Sequence, residues 1–340
     1  MAMTAGEKEK LQRDIIESID KKQLKVQSLA DEYGISRQGI YKIIQKMIGE
    51  QIICKSGEGR GTLYELVTEK IVKMYQNKAL AEDVVFAKDC KPFLQGLPQN
   101  TYDKVEYIFT EMFNNAIDHA EAETISCYME RNAARVSAFI IDDGIGIFAK
   151  IQQELGLPYK RYAILELSKG KVTTDPKRHT GEGIFFSSRI ANKFAIFSDE
   201  LVFTSGNEMH DYLFDKQEER KGTIVYFEID IFDPKTVAEV FNEYECPQYV
   251  FSQTKVPVRL LAYGEDDTNF VSRSQARRLL GGFERFADII LDFTGVRSIQ
   301  QAFADEIFRV FANDHPDINI QTINANEQIM GMIKHVTSNK

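Results

Sequence analysis

The segment that most constrains this chain is a twenty-residue run, "TYDKVEYIFTEMFNNAIDHA", at positions 101–120. Val105, Phe109, Met112, Ala116 and Ala120 recur at helical spacing and form one apolar stripe. Beside that stripe Glu111, Asn115 and His119 repeat every four residues, and Asp118 follows Glu111 by seven. Residues four apart on a helix are surface neighbours. An acid, an amide and an imidazole therefore share a ribbon next to the buried face. Asparagine is a poor helix former, yet it suits a site that needs an oxygen ligand for a hard cation. The polar flank of an ordinary amphipathic helix has the same pattern, so this helix alone does not decide between the two.

Strand-like segments follow: "TISCYMER", "RVSAFIIDD", "LVFTSG", "HDYLF" and "GTIVYFEIDI". Helices and an antiparallel strand series in one block predict a two-layer α+β sandwich over residues 84–235. Two glycine motifs sit inside it. In "SAFIIDDGIGI" the apolar run stops at Ile141, and Asp142 meets Gly144 and Gly146. A carboxylate at a strand end can accept a hydrogen bond from an amine such as adenine N6, and glycines let backbone approach a flat ring. A plain Asp-Gly turn reads the same way. In "HTGEGIFF" Gly181 and Gly183 precede the helix candidate "IFFSSRIANKF". Backbone N–H groups at such a start bind phosphate oxygens. Position 186 is Phe and no strand precedes the motif, which excludes a dinucleotide fingerprint. No P-loop pattern is present either.

The flanks have different characters. Residues 7–66 read as helix, helix, turn at Gly34, and a third helix capped by Ser36, followed by two short strands around "KSGEGRG". Residues 67–83 read as a helical connector, "VVFAK" as a short strand, and Pro92, Gly96 and Pro98 as a boundary. Residues 250–340 alternate strand and helix: "VPVRLLAY", "SRSQARRLLGGF", "DIILDFTG", "IQQAFADEIFRVFAN", "INIQTIN", "EQIMGMIKHV". That alternation predicts an α/β layer. The chain as a whole is expected to be an α+β multidomain protein.

Charge narrows the partners. The chain of 340 residues has a net charge of −9, which disfavours nonspecific nucleic-acid binding by the whole. Residues 1–66 are different, with eleven Lys/Arg against ten Asp/Glu. A local DNA-binding module there is compatible with the balance. Cysteines at 54, 90, 127 and 246 are too widely spaced for a redox pair or a zinc knuckle. No apolar run is long enough to cross a membrane and no signal core opens the chain, so cytoplasmic residence and no membrane partner are expected.

Taken in order, these motifs resemble known families. Residues 7–66 resemble a winged helix-turn-helix. The resemblance implies DNA contacts from Arg37, Gln38, Tyr41, Lys42, Gln45 and Lys46 on the second helix of the motif, and from Arg60 on the wing. "EMFNNAIDHA", "DDGIGI", "HTGEGIFF" and "KGTIVYFEI" resemble the nucleotide-binding (Bergerat) domain of the GHKL superfamily, shared by DNA gyrase, heat-shock chaperones and histidine kinases. That resemblance implies ATP and Mg²⁺ as cofactors. Asn115 would hold Mg²⁺, and Glu111 would be the general base. Asp142 would fix adenine with Gly144, Gly146 and Thr223. Gly181 and Gly183 would face the phosphates, with Asp118, His119 and Thr180 nearby. Residues 148–180 would form a lid whose phosphate contacts are Lys169, Lys171, Lys177 and Arg178. Within the superfamily, "TEMFNNAIDHA" looks most like the anti-sigma-factor serine kinases. "IILDFTGVRSIQQAFADEIFRVF" resembles STAS-like domains, relatives of anti-sigma-factor antagonists, but Gln300, Gln301, Ala302 and Phe303 stand where those antagonists carry a phosphorylatable serine.

The resemblances imply a bacterial regulator that binds DNA, Mg-ATP and, through the STAS-like part, a protein partner. ATP binding or slow hydrolysis would control DNA or partner binding. The alternative they allow is a serine/threonine protein kinase of the partner-switching type. A homodimer is expected by analogy with both families.

Overall fold

Thr4 and Ser36 set the first helices. The Thr4 hydroxyl accepts from Glu7 N while Glu7 reaches back to Thr4 N, opening α1 (Ala5–Asp20). After α2 (Val26–Glu32), the Ser36 hydroxyl accepts from Gly39 N and opens α3 (Arg37–Gly49). Strands β1 (Ile53–Ser56) and β2 (Leu63–Leu66) pair antiparallel. Leu11, Ile15, Ile40, Ile44 and Met47 fill the small core that joins the three helices. The computed structural model describes residues 3–170, 181–206, 221–244, 252–262 and 269–338.

The segment expected as a helical connector holds a strand instead. β3 (Glu69–Gln76) pairs antiparallel along its whole length with β4 (Thr124–Arg131). Ile71, Met74 and Tyr75 have helical spacing, which misleads a local reading. In the strand, Ile71 and Tyr75 turn toward the core, while Val72 and Met74 stay exposed. Pairing with β4 satisfies the backbone, and no local pattern announces that partner. The reverse exchange occurs next. "VVFAK", expected as a strand, lies in α4 (Glu82–Val85) and its continuation through a π turn to Cys90. Val85, Phe86 and Cys90 bury against the neighbouring helix rather than alternating across a sheet.

β3 thus belongs to a six-stranded sheet of order β3-β4-β5-β8-β6-β7. The other members are β5 (Arg135–Asp142), β6 (Lys193–Ser198), β7 (Leu201–Gly206) and β8 (Thr223–Asp230). Every neighbouring pair is antiparallel. The predicted strand "HDYLF" lies outside the described residues. Helices α5 (Gln99–Asp118), α6 (Ile147–Glu154), α7 (Tyr162–Lys169), α8 (Gly183–Ile190) and α9 (Val237–Tyr244) make the second layer. Val105, Phe109, Met112 and Phe113 of α5 share a core with Ile125, Ala138, Ile140 and Phe227 of the sheet. Two layers are therefore present, and they span residues 69–244, wider at both ends than the expected 84–235.

The C-terminal part carries β9 (Gln253–Pro257), β10 (Asn269–Phe270), β11 (Asp288–Asp292), β12 (Ser298–Ile299) and β13 (Asn319–Ile323). The order β13-β11-β9 forms a parallel sheet, and β10 pairs with β12. The helices are α10 (Arg273–Leu280), α11 (Gln301–Asp305), α12 (Ala312–Asp314) and α13 (Glu327–Ser338). A π turn joins α11 to α12, making one continuous helical stretch. The predicted alternation is present, with one difference. "VPVRLLAY" leaves the strand after Pro257 and continues as a 3₁₀ turn. Proline supplies no N–H to continue the ladder. The chain is thus mixed α/β with several sheets. Among the described residues no helix is long and apolar enough to cross a membrane.

The first part touches the sandwich through an Asp20–Arg135 ion pair at 2.6 Å and through Arg13, 4.8 Å from the Phe232 ring. The sandwich and the C-terminal part share one continuous apolar core.

Candidate functional site: a glycine-cradled pocket

Segments far apart in sequence meet between the helices and the sheet. The polar ribbon of α5, the end of β5, the start of α8 and the start of β8 enclose a cavity of about 310 Å³. That is the size range of small-molecule sites. Glu111, Asn115, Asp142, Gly146, Gly183 and Thr223 are among its lining residues.

Asp142 is the best-defined group. It is only 7% exposed. Its Oδ1 accepts from Gly144 N at 3.0 Å and from Thr223 N at 3.1 Å. The Thr223 hydroxyl in turn accepts from Ile147 N at 3.0 Å. Two strand ends and the turn between them are thus tied to one carboxylate. Burial pushes that carboxyl up to about 6, opposed by the Gly144 and Thr223 amides. An ionised Asp142 is an acceptor only, whereas a protonated one also donates. A ligand that donates an N–H here is expected to bind more tightly as pH rises through about 6 and to level off above about 7. Affinity measured from about pH 5 to about pH 8 checks this. Ligand-free stability should move the opposite way. The folded pKa lies above the ordinary value, so stability falls as pH rises from about 4 to about 6.

The glycines make the room. A Cβ on Gly144 would lie 1.9 Å from the Ala120 carbonyl oxygen. Gly146 has φ +85°, and a Cβ there would meet Ser198 Oγ at 2.5 Å. No side chain fits either place. Gly222 was not singled out from the sequence, although it directly precedes Thr223. It has φ +89°, and a Cβ would lie 2.0 Å from the Asp142 carbonyl oxygen. Its own carbonyl accepts from Ser198 Oγ at 2.9 Å. Lys150 was also missed. It lines the cavity from α6 and pairs with Glu121 at 2.8 Å. Its signal in the sequence was only a lysine four residues beyond Gly146.

The α5 ribbon faces the start of α8. A Cβ on Gly183 would lie 2.1 Å from Glu111 Oε2, so the glycine leaves space that the carboxylate fills. Asn115 and His119 line the cavity with Glu111. Gly181, with φ +74°, joins the same wall. Asp118 differs. It is exposed and does not line the cavity, standing as the last residue of α5.

Lys169 departs most from expectation. It was expected at a phosphate, yet it is 2% exposed and bound elsewhere. Its Nζ donates to Glu166 Oε1 at 2.7 Å, Arg278 O at 3.2 Å and Gly281 O at 2.8 Å. Burial pulls its pKa below the ordinary lysine value, opposed by Glu166. The reason for the departure is tertiary, since α10 packs over the end of α7. Lys171, Lys177, Arg178, His179 and Thr180 lie outside the described residues.

A second surface lies on α3. Arg37, Gln38, Tyr41, Lys42, Gln45 and Lys46 are exposed, while Ile40, Ile44 and Met47 face the core. Lys46 also pairs with Glu50 at 3.4 Å. Arg60 falls in the short turn Gly59–Gly61 of the β1–β2 hairpin. Three arginines of α10 are engaged at their tips. Arg273 pairs with Asp305 at 3.1 Å and Arg277 with Glu306 at 2.6 Å, and Arg278 sits 4.3 Å from the Tyr162 ring. Gln300 stands at the N-cap position of α11 without a side-chain cap bond and Phe303 is fully buried; residues 300–303 carry no hydroxyl.

No curated protein matches the chain. One family does match part of it: residues 275–330 are similar to the STAS-like domain of unknown function (DUF4325).

Proposed function

We propose that the cavity binds Mg-ATP in a GHKL-type nucleotide domain, and that nucleotide state controls DNA or partner binding by the same chain. The carrying observation is Asp142, a buried carboxylate locked by two amides at the floor of a glycine-lined cavity. Such a group reads an exocyclic amine and rejects a carbonyl in its place. Asn115 offers an amide oxygen to Mg²⁺, a cation that prefers oxygen ligands and bridges to substrate phosphates. When bound, Mg²⁺ would neutralise phosphate charge. The N–H groups at the start of α8 and the glycine turn before it suit phosphate oxygens. Glu111, packed against Gly183, is the general base for an attacking water, or for a protein hydroxyl in the kinase reading below. The winged-helix reading of residues 7–66 draws support from the exposed Arg, Gln and Lys face of α3 and the hairpin behind it. Arg and Gln suit base edges and Lys suits phosphate.

The test is calorimetric titration of the full chain with ATP and GTP, with and without Mg²⁺. Binding of ATP but not GTP, strengthened by Mg²⁺, is expected. Equal binding of both nucleotides removes the Asp142 assignment. DNA retention measured with and without Mg-ATP then tests the coupling. A second reading, a serine/threonine kinase of the partner-switching type, is favoured by the STAS-like match at 275–330. Labelled ATP added with cell extract separates the two. A phosphoprotein product supports the kinase, and free phosphate supports the switch.

A further inference from the structure

Lys169 raises a question that the nucleotide site does not answer. A fully buried ammonium is costly unless every donor is satisfied. Here all three are used, and two of them go to backbone carbonyls of Arg278 and Gly281 at the C-terminal end of α10. Those carbonyls belong to the last turn, which has no intrahelical partner and carries the negative end of the helix dipole. The last residue of α7 therefore caps a helix of the C-terminal part. Its main chain is held as well, since its carbonyl accepts from Thr254 Oγ1 of β9 at 2.6 Å. Thr254 is fully buried.

The other end of α7 is held by the same helix. The Arg278 guanidinium lies 4.3 Å from the ring of Tyr162, the first residue of α7. Arg278 thus grips both ends of α7, by its side chain at Tyr162 and by its carbonyl at Lys169. Tyr162, Glu166 and Lys169 recur at i, i+4 and i+7, so they share one face of this helix of eight residues. Leu167 projects from another face and lines the cavity. α7 also packs against α6 and α8, which line the same cavity.

We infer that Lys169 is a positioning residue for the pocket: it fastens α7 to the C-terminal STAS-like part, and so sets where Leu167 stands in the cavity wall. The inference rests on the nucleotide reading of that cavity. It makes the STAS-like part a component of the binding site's support, although none of its described residues lines the cavity. A change that loosens α10 from α7 reaches the pocket through one rigid helix.

The test compares the native chain with Lys169→Met, which keeps the aliphatic stem and removes the ammonium. Arg278→Ala is the companion, because it removes the grip on Tyr162 and leaves the Arg278 carbonyl in place. Mg-ATP affinity is read by calorimetry, and ligand-free melting temperature is read alongside. Each variant is expected to bind Mg-ATP about tenfold more weakly, within the usual range of coupling between sites. The double variant is expected to lose less than the product of the two, because both act on one clamp. A lowered melting temperature with unchanged affinity in both variants would overturn the inference and leave Lys169 purely structural. If Lys169→Met does not fold, Arg278→Ala decides alone. Failure of the native chain to bind Mg-ATP removes the nucleotide reading and this inference with it.

Discussion

Asp142→Asn is expected to weaken ATP binding about a hundredfold, the loss of a hydrogen bond to a charged group plus an unpaired donor. The geometry explains the size. Oδ1 has to keep accepting from Gly144 N and Thr223 N. The amide oxygen of the variant takes that place, and its NH₂ group is turned to the cavity. A donor then faces the ligand's donor. The fold should survive, because the acceptor that ties β5 to β8 is retained. A circular-dichroism melt close to that of the native chain, together with the weakened binding, is the expected pair of results. Unchanged affinity would show that Asp142 does not touch the base. The pH profile gives an independent check. The variant has no carboxyl to titrate, so the rise in affinity through about pH 6 should vanish.

Glu111→Gln carries the second large effect. Turnover of ATP, whether to free phosphate or to phosphoprotein, is expected to fall about a thousandfold, the usual scale for a lost general base. Affinity should change little, because glutamine fills the space beside Gly183 that the carboxylate occupies. The split between turnover and binding is the informative readout. Equal turnover in both proteins would remove Glu111 as the base. A loss confined to affinity would make it a binding residue instead. Gly183 is the structural counterpart, since any Cβ there would displace the same carboxylate.

Much of the candidate site was legible in the sequence, for a specific reason. Glycines that stand where a Cβ would collide, at 144 and 146, are marked by residue type alone. A helical ribbon of Glu111, Asn115 and His119 is set by the 3.6-residue period and needs no partner to be seen. The capping box of Thr4 and the cap of Ser36 are equally local. Gly222 is not marked in this way, because a single glycine before a strand has many uses. Asp118 has the angular position of a lining residue, but it ends α5 and is exposed, which the helical period does not show.

The sequence by itself determined the strand-helix alternation of the C-terminal part, the helix that bears Glu111 and Asn115, and the turns that only glycine can make. Each of these is a matter of local period, cap or steric allowance. Tertiary structure alone decided three other things. It made 69–76 a strand, because the edge of β4 offered eight residues of backbone pairing that outweighed a helical pattern. It made 84–90 helical, because Val85, Phe86 and Cys90 found a helix to bury against. It took Lys169 from the expected phosphate site and placed it on α10, because the orphan carbonyls of that helix end complete the lysine's hydrogen bonds inside a shared core. In each case the deciding partner lies far away in the chain, and no local pattern carries that information.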